Sequence, residues 1–202
     1  MALAPWLHLF IDQIKDTSAL QWVAVSFAVT EVLLAKKNNV LLYPAGIISC
    51  ALSILLLVKA LLYAEAALSI YYIIMSIYGW IYWIQRKNEP PVKITYSSKQ
   101  EWIITFGIVF GGWAVLYFLL QNYTDSDVPL IDAWISSTAW AGMWLLARRK
   151  IENWILLNIS NLFAVPLLFY KSLPLFGLLT AFLFIVACFG YFEWKEKIQS
   201  EC

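Results

Sequence analysis

Between Ile151 and Tyr170 runs an apolar stretch long enough to cross a bilayer, yet it carries Trp154, Asn158, Ser160 and Asn161 near one end. A carboxamide left without a partner in hydrocarbon costs several kcal/mol, so these groups need either neighbours or a ligand. On a helix Trp154, Asn158 and Asn161 stand at i, i+4 and i+7 and form one stripe. An indole beside two carboxamides is suited to a flat polar heterocycle: the ring stacks on the Trp and the amides bond its edge. The competing use is bonding between helices, worth about 1–2 kcal/mol per contact. Three such groups on one face favour the pocket. Pro166, within the same span, removes a backbone hydrogen bond and makes a kink or hinge there plausible.

Other spans carry shorter polar stripes. Tyr72, Ser76 and Trp80 share a face of the third span, and Asp132, Ser136 and Trp140 stand at i, i+4 and i+8 in the fifth. For Ser136, Ser137 and Thr138, bonding between helices is the preferred reading. Glu31 lies about a turn inside Lys36 of the first span, where an unpaired carboxylate is costly. The candidate substrate-binding set is therefore Trp154, Asn158, Asn161, Tyr72, Ser76, Trp80, Glu31, Ser136 and Trp140.

The elements that must position these residues follow from composition. The 202-residue chain is 62% hydrophobic and 13% charged, with a mean hydropathy of +0.72. Soluble domains sit nearer 45–50% apolar and about 25% charged, so this is an integral membrane protein, expected to be all-α. Eleven Trp and eleven Tyr suit interfacial belts and leave rings to line a cavity. Seven spans are predicted near 18–35, 39–58, 64–85, 101–120, 128–147, 151–170 and 173–194, each long enough for about 30 Å of hydrocarbon. Residues 85–100 read as a loop, and the opening stretch with His8 reads as a surface amphipathic segment rather than a signal peptide. Cys50, Cys188 and Cys202 have no metal-like spacing.

Lys15, Lys59 and Lys171 fall on one side; the other eleven of the 14 Lys and Arg fall on the opposite side. The basic side faces the cytoplasm by the positive-inside rule, which puts the N-terminus outside and the C-terminus inside. Asp12, Asp16, Glu65, Asp125, Asp127 and Asp132 lie on the outer side. They form either a negative mouth that concentrates cationic solutes or ordinary solvated loop charge.

The chain also repeats itself. "LLAKKNN" at 33–39 matches "LLARRKI" at 145–151, Lys59 matches Lys171, and "YGWIYW" at 78–83 matches "FGYFEW" at 189–194, all offset by 111–112 residues. The first repeat is thus about 18–85, the connector about 101–120 and the second repeat about 128–194, within one transmembrane domain spanning 1–202. An offset of four spans preserves direction. The halves should then be parallel, as in SWEET-type transporters with a substrate site near midplane between them.

"LLYPAGIIS" in the second span, "YYIIMSIYGWIYW" in the third and "TDSDVPLIDAWISSTAWAGMWLLARRKIENW" through the fifth resemble the PnuC family of bacterial vitamin transporters. The resemblance covers about residues 18–195. It implies a SWEET-like fold of seven helices in the bacterial inner membrane, and facilitated diffusion of a vitamin trapped inside by a cytoplasmic kinase. Nicotinamide riboside members carry a sixth-helix pattern W-x-x-W-x-x-x-N. Trp154 and Asn161 match its first and last positions, whereas Leu157 stands at the second Trp and Asn158 is an added polar group. That departure favours thiamine, with nicotinamide riboside as the alternative. Both carry a fixed positive charge, whose entry an inside-negative potential favours by about 2.3 kcal/mol per 100 mV.

Other classes are less well supported. One His and no HExxH or GxSxG argue against an enzyme, and no GxxxxGK[ST] supports ATP-driven transport by this chain alone. No cofactor and no nucleic-acid partner is expected. The expected partners are the vitamin, the lipid bilayer, the kinase and possible further copies in a homo-oligomer. A membrane subunit needing an energising partner remains the rival of another class.

Overall fold

A computed structural model describes residues 11–12, 14–15, 17–59, 63–84, 93–124, 126–171 and 174–200. His8, Asp16, Asp125 and Cys202 lie outside this set. Seven long helices follow: α1 (Ala19–Lys36), α2 (Leu42–Lys59), α3 (Tyr63–Ile84), α4 (Lys99–Tyr123), α5 (Pro129–Ala147), α6 (Asn153–Tyr170) and α7 (Pro174–Ser200). Their ends agree with the expected spans to within a few residues, except that α7 continues to Ser200.

Among the described residues, α1, α4, α6 and most of α7 are long and apolar enough to cross a membrane. Leu42–Leu56 and Ser69–Ile84 are shorter apolar segments. The 19 residues of α5 are diluted by three Trp and by Asp132, Ser136, Ser137 and Thr138.

Local chemistry sets the boundaries. The Ser18 side chain accepts a hydrogen bond from Gln21 N at 3.2 Å and caps α1. Ser98 and Glu101 form a capping box at the start of α4, and Pro129 opens α5. Within α4, Gly107–Gly111 forms a π-helical turn. Pro166 sits inside α6 without ending it.

The chain divides into two compact units, Met1–Val92 and Lys93–Cys202. In the first, α2 packs against both α1 and α3; in the second, α6 packs against both α5 and α7, and α4 lies against α5. The two triplets share one internal register, and it is 111 residues throughout. Ser49 Oγ donates to Ala24 O at 2.9 Å, and Ser160 Oγ donates to Ile135 O at 2.8 Å. Tyr43 meets Trp83 edge to face at 5.1 Å, and Trp154 meets Trp194 likewise at 5.6 Å. Gly79 lies against the Tyr43 ring and Gly190 against the Trp154 ring, so closely that a Cβ would fall within 2.4 and 2.7 Å of them. Asn38 and Arg149, the two described non-glycine residues at positive φ (57° and 55°), turn the chain out of α1 and α5.

This register corrects two of the sequence matches. "LLAKKNN" with "LLARRKI", and Lys59 with Lys171, sit at 112 and are one residue out, whereas "YGWIYW" with "FGYFEW" at 111 is right. The polar turn tolerates letter slippage; the packed aromatics do not.

Residues 93–98, from the end of the expected loop, are strapped to the α5–α6 turn. Thr95 N donates to Arg149 O at 3.2 Å and Ile151 N to Thr95 O at 3.1 Å. Glu101 pairs with Arg148 at 3.2 Å and Lys150 at 3.1 Å, while Ser97 Oγ donates to Glu152 at 2.8 Å.

Candidate functional site

The sixth-span stripe divides. Trp154 and Asn158 line an open cavity of about 440 Å³ between α6 and α7, along with Phe184, Cys188, Tyr191 and the exposed Leu162 and Phe192. That size suits a nucleoside-sized solute. Asn161 does not line it and is half-buried. Trp154 is 1% exposed, its ring held between Trp194 and Gly190, so only a margin of it reaches the cavity. Its Nε1 has no hydrogen-bond partner among the described residues.

Asn158 is the polar group of the cavity. Its Nδ2 donates weakly to Cys188 Sγ at 3.4 Å, and its buried Oδ1 has no partner among the described residues. The matched register shows what the fold itself requires at this place. Subtracting 111 sets Asn158 against Ile47 and Cys188 against Ile77, both aliphatic. The same helix pair therefore packs in the first repeat without a carboxamide. By contrast, Ser49 and Ser160 are shared, and both join helices.

The fifth-span stripe disperses. Asp132 accepts from Lys171 Nζ and from Ser126 Oγ, each at 2.7 Å, and so fastens the start of α5 to the end of α6. It is paired rather than free to charge an outer mouth. Trp140 packs over Gly112 of α4, where a Cβ would lie 3.5 Å from its ring. Ser136 is half-buried. Ser137 and Thr138 correct the expectation of bonding between helices: both donate to Trp134 O of their own helix, at 3.1 and 2.8 Å.

In the first unit Ser76 is 1% exposed, and its Oγ has no partner among the described residues. Its counterpart is Ala187, so this hydroxyl too is additional to the shared packing. Tyr72 is half-buried and meets Tyr71 edge to face at 5.9 Å. Trp80 is half-buried, and its counterpart Tyr191 lines the second-repeat cavity. Glu31 lies over Gly46. The groups missed in the sequence are Glu101, Arg148, Lys150 and Glu152. The Ser-x-x-Glu capping box at Ser98–Glu101 was the available signal for the first of them.

A family model described as "Nicotinamide mononucleotide transporter" matches residues 18–196. The chain belongs to this family, the PnuC vitamin transporters. It is 21% identical over 209 residues to the nicotinamide riboside transporter PnuC of Escherichia coli (strain K12), covering 89% of this chain and 87% of that protein. The Shigella flexneri protein of the same name matches to the same extent. The crystal structure of the vitamin B3 transporter PnuC superposes with a TM-score of 0.74 at 20% identity, over 98% of this chain and 89% of that one. The seven-helix membrane fold of this family is thus the fold of this chain.

Position 157, where the family resemblance implies a second Trp, is occupied in a definite way. The Leu157 side chain fills the face of Gly142, where a Cβ would lie 2.9 Å from it. Position 157 therefore supplies no stacking ring, and the face of Gly142 beside it is already packed.

Proposed function

We propose that this chain carries nicotinamide riboside across the bacterial inner membrane by facilitated diffusion, with its basic loops and C-terminus in the cytoplasm. A cytoplasmic kinase then traps the solute. The observation that carries this reading is the unpartnered Asn158 Oδ1 on a nucleoside-sized cavity, at a place where the first repeat uses Ile47. That carbonyl is an acceptor for the amide or hydroxyl donors of a nucleoside. The names of the PnuC relatives support nicotinamide riboside ahead of thiamine, reversing the order expected from the sixth-helix pattern. Thiamine stays as a second reading on one observation, the aliphatic Leu157 packed into Gly142.

Titration of the purified chain with both vitamins orders the two. Tighter binding of thiamine would restore the order expected from the sequence. Counterflow of labelled vitamin in liposomes, driven only by unlabelled vitamin inside, tests the energetics. A strict need for an imposed proton or sodium gradient would contradict facilitated diffusion. For topology, Ser97 is engaged by Glu152, so the 53% exposed Tyr96 is the better labelling position. In a variant without native cysteines, Tyr96→Cys should react in intact cells only with a permeant reagent.

A further inference from the structure

The first repeat holds a carboxylate where the second holds nothing. Glu31 and Gly46 correspond, 111 residues on, to Gly142 and Leu157. In both pairs a glycine receives the side chain of the facing helix. In the second repeat it receives an isobutyl group; in the first it receives the Glu31 carboxylate. A Cβ on Gly46 would lie 2.5 Å from Oε1 and 2.9 Å from Oε2. The α1–α2 contact therefore has a purely apolar solution, visible in the second repeat, and the first repeat does not use it.

Glu31 lies five residues inside Lys36, about 7.5 Å along the helix. No hydrogen bond or ion pair fixes its carboxylate among the described residues. Cys50 of α2 and Tyr72 of α3 are the titratable groups within its electrostatic reach, and neither brings a positive charge. Tyr71 adjoins Tyr72. A carboxylate in a membrane helix calls for a cation, and an apolar surround suits a weakly hydrated, delocalised organic one better than a strongly hydrated metal ion.

We infer that Glu31, seated on Gly46, is a binding station in the first repeat for a solute whose aromatic ring carries a fixed positive nitrogen. This rests on the vitamin reading above and adds the charge class that the first repeat selects.

The test separates charge from shape. Nicotinamide riboside and its neutral 1,4-dihydro form are titrated into the purified full chain, alongside thiamine and an analogue with carbon in place of the thiazolium nitrogen. The wild-type protein should bind the cation at least about tenfold more tightly than its neutral partner. Glu31→Gln keeps the side-chain shape and should bring the two within about threefold, chiefly by weakening the cation. Gly46→Ala displaces the carboxylate and should narrow the preference similarly, adding little in the Glu31→Gln background. Ligand-free melting shows whether either variant is misfolded, and either one alone suffices. A Glu31→Gln protein that keeps the wild-type preference would overturn the inference while leaving the vitamin reading intact. Wild-type protein that binds no member of either pair would overturn the vitamin reading, and this inference with it.

Discussion

The aromatic knot of the first repeat, Tyr43 with Gly79 and Trp83, and that of the second, Trp154 with Gly190 and Trp194, are built to one plan. Each puts a ring, 1% exposed, against a glycine and edge-on to a Trp. The serine bonds of Ser49 and Ser160 repeat just as closely. The groups around these shared features do not. Asn158 and Cys188 replace two isoleucines, Glu31 replaces a glycine and Ser76 replaces an alanine. The shared residues hold three helices together. The unshared polar ones are not needed for that, and a solute is the natural account of their cost.

The largest effect that could break this division comes from emptying the knots. Tyr43→Ala and Trp154→Ala each leave a cavity, and each should destabilise the protein by about 3–5 kcal/mol in ligand-free melting. Trp154→Ala alone should also weaken vitamin binding. Equal loss of affinity in the two variants would mean that the repeats do not differ in function here.

Overpacking comes next. Leu157→Trp must force a bicyclic ring against Gly142 and should cost about 1–3 kcal/mol. On sequence alone it should shift preference toward nicotinamide riboside, given room; the packing leaves none. Unchanged melting with tighter riboside binding would show that the α5–α6 contact opens. Ser49→Ala and Ser160→Ala should each cost about 0.6 kcal/mol, and at most about 1.7, by nearly equal amounts. A large inequality would break the claim that the two bonds are one architectural feature. Asn161→Leu should have the smallest effect, under about 0.5 kcal/mol on affinity, since Asn161 does not line the cavity.

Much of the fold was legible in the sequence, because apolar length and loop charge act locally. Helix ends fell within a few residues wherever a cap or proline marked them, as at Ser18, Ser98 and Pro129. The repeat was visible too, but its register was fixed by tertiary contacts such as Gly190 meeting the Trp154 ring, between residues 36 apart. The site was less legible. Helical spacing placed Asn161 with Trp154 and Asn158, yet a stripe wide enough for three residues spans more than one neighbour. Spacing also could not show that Asp132 is taken up by Lys171, or that Ser137 and Thr138 bond back to their own helix. Nor could it show that Glu31 and Gly46 are partners, because that reading needs both repeats side by side.

Asn158 is a carboxamide that the fold does without in its other half, where Ile47 stands. The most direct measurement is titration of nicotinamide riboside into wild-type and Asn158→Leu protein, beside ligand-free melting of both. A melting temperature that holds or rises, with affinity down about tenfold or more, is the result expected of a group kept for a ligand. Unchanged affinity with a lowered melting temperature would make Asn158 a structural residue, and the cavity between α6 and α7 would lose its claim to the solute.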